Sequence, residues 1–128
     1  MPTSDFEDIR QFIAEHFRSI AQLELLLLLR ADPRRSWGAQ AAAAAIYTAP
    51  DMTQRLLDEL LISGLVAADD QKISYRYAPS SDEFCRLVEE TSSLYRDRPM
   101  SIVSLLYADR VNAIQDFADA FRLRKAKE

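Results

Sequence analysis

Gly64 is one of only 2 glycines in a chain of 128 residues, and its position constrains the fold more than any other residue. It directly follows "PDMTQRLLDELLIS", in which Met52, Leu56, Leu57 and Leu60 recur at helical spacing and form an inward face. A glycine just past such a run closes a helix, because the left-handed conformation of a helix C-terminus costs it no Cβ clash. Beyond it, "LVAADDQKISYRYAP" changes from a helical period to alternation. Ile73, Tyr75 and Tyr77 point one way and Lys72, Ser74 and Arg76 the other, with "DDQ" at the tip and Pro79 at the close. Thr48 to Pro79 therefore reads as a turn, a short helix and a two-stranded ribbon.

The rest of the chain reads as helices. Ser4 and Glu7 form a capping box, and Phe6, Ile9, Ile13 and Phe17 mark a first helix from about Asp5 to Phe17. Ser19 and Gln22 repeat the cap before a second helix, Ile20 to Arg30. That helix is apolar almost all round through Leu23 and Leu25 to Leu29, a pattern that belongs in the middle of a core. Pro33 breaks the chain. Ser36 is the expected N-cap of a third helix, "WGAQAAAAAIYT", anchored by Trp37, whose alanines let another helix approach closely. Pro50 fixes the entry to the next helix, with Asp51 in its first turn where negative charge is favoured. Ser81, Asp82 and Glu83 open a further helix with Phe84, Leu87, Val88, Leu94 and Tyr95 on its buried side. Pro99 restarts the chain, which is helical to Lys125 with an interruption near Asp109 and carries Ile102, Leu105, Leu106, Val111, Ile114, Phe117 and Phe121.

Composition bounds the chemistry. A 48% hydrophobic and 28% charged chain is an ordinary globule. A net charge of -4 argues against indiscriminate polyanion binding while leaving room for a local basic patch. One cysteine excludes an internal disulfide, and one Cys with one His excludes a Cys/His zinc site. "MPTSDFEDIR" has no secretory pattern, and "LELLLLL" is far shorter than the roughly 20 residues that span a bilayer. A cytoplasmic chain with no membrane partner is expected. Cys85, beside Phe84, is expected to be a buried, inert thiol, and His16 a helix-end cation or partial core residue. Adjacent carboxylates such as Asp69-Asp70 and Glu89-Glu90 diverge, and no glycine-rich phosphate loop is present. The expectation is a non-enzyme with no catalytic residue, no metal site and no cofactor.

Helix, short turn, helix, "SGLV" and a hairpin together resemble the winged helix-turn-helix superfamily. Bacterial transcriptional regulators of the MarR (multiple-antibiotic-resistance regulator) and PadR (phenolic-acid regulator) type are the nearest comparison. The resemblance runs from Trp37 to Tyr77 and rests on Ala42 and Ala43, Leu57 and Leu60, the Gly64-Leu65-Val66 corner and "KISYRY". It implies a mainly α fold with a small β-hairpin wing, in one domain over 1–128. N-terminal helices would occupy 1–30, the helix-turn-helix and wing 36–79, and C-terminal helices 80–128. It also implies that the second motif helix lies in the major groove of double-stranded DNA while the wing touches the backbone. By position, Asp51, Met52, Gln54, Arg55 and Asp58 would face the groove, with Gln54 pairing adenine at two points and Arg55 pairing guanine. Arg34, Arg35 and Ser36, at the start of the first motif helix, and Lys72 and Arg76 on the wing would hold phosphates. The terminal helices are similar in layout to families that dimerise through them. Val111, Ile114, Phe117 and Phe121 would cover either the domain's own core or a second subunit, with a homodimer expected.

One departure keeps a second function open. The helix that should read DNA sets Asp51, Asp58 and Glu59 against a single cation, Arg55, and continues into Leu61 and Ile62. Adjacent residues cannot both face the core, so an apolar side chain is left outside. The chain is then either a DNA-binding transcriptional regulator acting as a dimer, or a winged-helix protein–protein interaction module that no longer binds DNA. In the second case Leu61 and Ile62 would meet a regulatory protein partner. Tyr75 and Tyr77 are expected to pack against the core and not to stack on bases.

Overall fold

A polar cap starts the helix around which everything else packs. The Ser19 hydroxyl accepts from the Gln22 backbone N–H at 3.2 Å, opening α2 (Ile20–Ala31) where the capping pattern predicts. Leu23, Leu25, Leu26 and Leu29 of this helix are fully buried. Truncating any of them to Ala is the kind of core deletion that costs about 2–5 kcal/mol. The computed structural model describes residues 6–107, so Ser4 of the first capping box and the stripe Val111, Ile114, Phe117 and Phe121 lie outside the described residues.

Within the described residues, α1 (Phe6–His16) precedes α2, and β1 (Trp37–Gly38), α3 (Ala39–Ile46) and α4 (Pro50–Ser63) follow it. The chain continues through β2 (Val66–Ala68), β3 (Ser74–Tyr77) and α5 (Asp82–Asp97), and a last helical stretch, α6, covers 99–107. α2 touches α3, α4 and β3, while α1 packs along α5. Ile102 and Leu106 of α6 close the core from the far side. The sheet order is β1-β3-β2, all antiparallel, with Trp37 opposite Tyr75 and Val66 opposite Tyr77.

Several expectations are corrected. Trp37 and Gly38 form a strand, so Ser36 is not a helix cap. α3 starts at Ala39 with Gly38 as an extended N-cap that has no side-chain cap bond. The cause is pairing: the two residues give β3 a partner on its open side, and Trp37 is buried beside Tyr75 in the process. Met52 is exposed, because the inward stripe of α4 is Thr53, Leu56, Leu57 and Leu60. Thr53 is satisfied there by donating its hydroxyl to the Ala49 carbonyl at 3.0 Å. Ile73 is exposed because the ribbon's turn is longer than its sequence suggests. Asp69 Oδ1 accepts from the Ile73 and Ser74 N–H groups at 2.6 and 3.1 Å, and Lys72 sits in the turn at φ 56°. Lys72 therefore does not share a strand face with Arg76. Cys85 is exposed, since the buried stripe of α5 runs through Leu87, Val88 and Thr91 and leaves it outside.

Gly64 holds the corner between α4 and the ribbon. Its φ is +81°, and its N–H reaches the carbonyls of Leu60 and Leu61. A Cβ there would lie 2.8 Å from Ser80 Oγ. Gly64→Ala combines that clash with left-handed backbone strain, and it is expected to cost about 1–3 kcal/mol in urea denaturation.

His16 ends α1 between two rings, with centroids 4.8 Å from Phe12 and 5.1 Å from Phe84. It is a partial core residue. Burial holds its pKa below the ordinary value, against an opposing pull from Glu15. A group lowered on folding contributes stability above its unfolded pKa and loses it as pH falls through the folded one. The melting temperature is accordingly expected to drop between about pH 7 and pH 5.5, and His16→Gln to flatten that slope.

Candidate nucleic-acid interface

Two of the three acidic side chains of α4, Asp58 and Glu59, are half-buried and bonded within the chain, while Asp51 is exposed. Tyr75, in the middle of β3, is 1% exposed, and its ring is buried beneath α4. Its hydroxyl donates to Asp58 Oδ1 at 2.7 Å. Gln54 Nε2 donates to the Tyr75 oxygen at 2.7 Å and to Asp58 Oδ1 at 3.2 Å. Burial first, and the Asp58 bond second, push the Tyr75 hydroxyl above its ordinary pKa, so it stays a donor at neutral pH. Three side chains thus form a closed polar triangle between helix and ribbon.

Glu59 is held from the other flank. Gln22, 1% exposed in the otherwise apolar α2, donates Nε2 to Glu59 Oε2 at 2.9 Å and to the Leu56 carbonyl at 3.5 Å. Its Oε1 accepts from the Arg18 N–H at 2.8 Å, so the buried amide is satisfied at both ends. Arg18 Nε stands 3.6 Å from Glu59 Oε1, at the solvent edge where an ion pair adds little. The half-buried Gln22 bond holds the carboxylate.

What α4 shows to solvent is therefore less acidic than its sequence. Asp51, Met52 and Arg55 are exposed along one face, and Ile62 is 86% exposed further along. Leu61 is half-buried against the core, so of the adjacent pair only Ile62 stands outside. Arg34, Arg35 and Ser36 are exposed in the link from α2 to β1, where the Arg35 guanidinium lies 3.5 Å over the Trp37 ring. Lys72 and Arg76 are exposed on the ribbon. Among the described residues, Arg34, Arg55, Lys72 and Arg76 have no carboxylate within ion-pair distance. Two-point pairing of Gln54 with adenine needs its amide N–H, and in this structure those hydrogens are spent on Tyr75 and Asp58. Its carbonyl oxygen is the group left to accept.

No protein-family model matches the chain, and no curated protein matches it. Solved structures do. MepR, a transcription regulator of the Staphylococcus aureus multidrug efflux pump MepA, is similar at TM-score 0.52 and 17% identity, over 95% of this chain and 89% of that one. The homodimeric winged helix-turn-helix DNA-binding domain of Mb0332 from Mycobacterium bovis is similar at TM-score 0.52 and 19% identity, over 77% of this chain and 92% of that one. The chain has the winged helix-turn-helix fold. A MepR mutant solved bound to an oligodeoxyribonucleotide shares it at TM-score 0.51 and 16% identity, over 95% and 88% of the two chains. In winged-helix terms α3 and α4 are the two helices of the helix-turn-helix, and β2 with β3 is the wing.

Sequence reasoning placed Tyr75 against the core, where it lies, but missed the bonds that its hydroxyl and the Gln22 amide make to Asp58 and Glu59. One signal was available: a glutamine inside a leucine-rich helix has to find partners once it is buried. Tyr75→Phe is expected to cost about 1–2 kcal/mol of stability. In a double-mutant cycle with Asp58→Ala, the pair should show a coupling of about 1 kcal/mol by chemical denaturation.

Proposed function

We propose that this chain is a DNA-binding transcriptional regulator of winged-helix type that acts as a dimer and has no catalytic turnover. The observation that carries the reading is the fate of the acids on α4. Asp58 and Glu59 are bonded into the domain by Tyr75, Gln54 and Gln22, and Arg55 is left exposed on the face beyond them. An acidic reading helix would repel a polyanion; one with two of its three carboxylates bonded toward the domain repels it less. Arg55 then reads a base edge, guanine being its usual partner, and the Gln54 carbonyl accepts from a base amine. Arg34, Arg35 and Ser36 on one side, with Lys72 and Arg76 on the wing, position the backbone. The solved neighbours add support, since one is a homodimeric DNA-binding domain and another was solved with an oligodeoxyribonucleotide. Dimerisation is assigned to the terminal helices, with Val111, Ile114, Phe117 and Phe121 as its apolar stripe. Two reading helices would then enter major grooves about 34 Å apart on a two-fold site.

The second reading, a protein-interaction module, is favoured by one feature: Ile62 stands 86% exposed at the end of α4. Ile62→Asp separates the two. It should abolish capture of a partner under that reading, while the neutral Ile62→Ser should do the same and leave DNA affinity nearly unchanged under the first.

Fluorescence anisotropy on genomic fragments tests the proposal. Log affinity should fall linearly with log salt, and Arg34→Ala with Arg35→Ala should flatten that slope by about 2 per protomer. Arg55→Ala should weaken selected sites far more than random duplex. No binding at low salt, or a triple variant indistinguishable from wild type, would remove the proposal.

A further inference from the structure

The turn of the helix-turn-helix holds a residue whose conformation the domain does not reward. Tyr47 caps α3 at φ 57°, ψ 46°, in the left-handed region, and its N–H bonds the Ala43 carbonyl. Glycine or asparagine is the usual occupant of such a position, and a bulky side chain there carries strain. Large side chains that accept strain normally recover it through burial. Tyr47 recovers nothing, because it is 95% exposed, the most exposed of the large apolar residues described. It also makes no side-chain hydrogen bond or ring contact within the described residues. Glycine would close α3 with less strain and the same backbone bond. A tyrosine kept there projects a ring and a hydroxyl into solvent, and strain of this kind collects where a chain meets a ligand.

Its place in the fold says which ligand. Tyr47 lies three residues before Pro50, the first residue of α4, next to exposed Ala49, Pro50 and Asp51. In helix-turn-helix docking the N-terminal residues of the reading helix meet base edges, so the chain entering that helix runs along the rim of the groove. The rim is phosphodiester backbone, and tyrosine hydroxyls are among the side-chain donors that contact it.

We propose that Tyr47 is a backbone-positioning residue. Its hydroxyl donates to a phosphate oxygen at the groove edge, and its ring lies against the adjoining sugar, fixing the depth and register of α4. This rests on the DNA-binding reading above and deepens it. The contact is neutral, so it is sequence-independent and releases no counterion, unlike those of Arg34, Arg35, Lys72 and Arg76.

The test uses full-length chain, a duplex selected from genomic fragments, a scrambled duplex, and thermal melts of each variant. Tyr47→Gly should weaken both duplexes by about tenfold per protomer, leave the salt slope unchanged, and melt at or about 2 °C above wild type. Tyr47→Phe should lose most of the same affinity with an unchanged melt. Four results would overturn the proposal. Wild-type affinity in both variants would assign Tyr47 to a protein surface while the DNA reading stands. A melt well below wild type for Tyr47→Gly would make the residue structural. Loss confined to the selected duplex would make it a base reader. No DNA binding by wild type at low salt would remove both proposals together.

Discussion

The hydroxyl of Tyr75 is the smallest group on which the most depends. It is carried by the central strand of a three-stranded sheet, buried under α4, and bonded to Asp58 and Gln54 of that helix. A buried hydroxyl without a partner costs on the order of 1–3 kcal/mol, so the bond specifies how the wing sits against α4 as well as stabilising it. The same bond orients a charge. It takes a carboxylate that sequence places on the groove side of α4 and turns it toward the protein. Gln22 does the equivalent for Glu59 from beneath. In a chain with a net charge of -4, two of the three carboxylates of α4 are in this way bonded toward the domain.

Much of the fold was legible because its signals are local. Ser19 before a leucine-rich run, Ser81 before Phe84 and Gly64 after Leu60 each mark an end by backbone chemistry alone, and all three stand where expected. Helix and ribbon types followed from period. What failed depended on long-range pairing. Trp37 and Gly38 read as helix because alanines follow them, yet they are strand because β3 lies beside them. Ile73 reads as core by alternation, yet Asp69 captures its N–H and puts it into the turn.

What the structure adds at the candidate site is exposure and bonding. Arg34, Arg35, Arg55, Lys72 and Arg76 are exposed. The roles of Asp58, Glu59 and Gln54 were not readable, since each depends on a partner 17 or more residues away in sequence. No count of charges along α4 distinguishes a carboxylate that faces DNA from one bonded to a buried tyrosine. The exposed cysteine is a milder case: Cys85 borders the stripe of Leu87 and Val88, and the choice of side is made by α1 packing along α5.

Tyr75 holds the Asp58 carboxylate against the wing, and under the proposed function this draws its charge away from DNA. DNA affinity in a Tyr75 and Asp58 double-mutant cycle, at low salt and with folding checked for each variant, tests it most directly. Tyr75→Phe should weaken binding by releasing the carboxylate, and adding Asp58→Asn should restore most of what was lost. Asp58→Asn alone should change little. If Tyr75→Phe binds as wild type does, or if Asp58→Asn strengthens binding equally in both backgrounds, the carboxylate was never withdrawn.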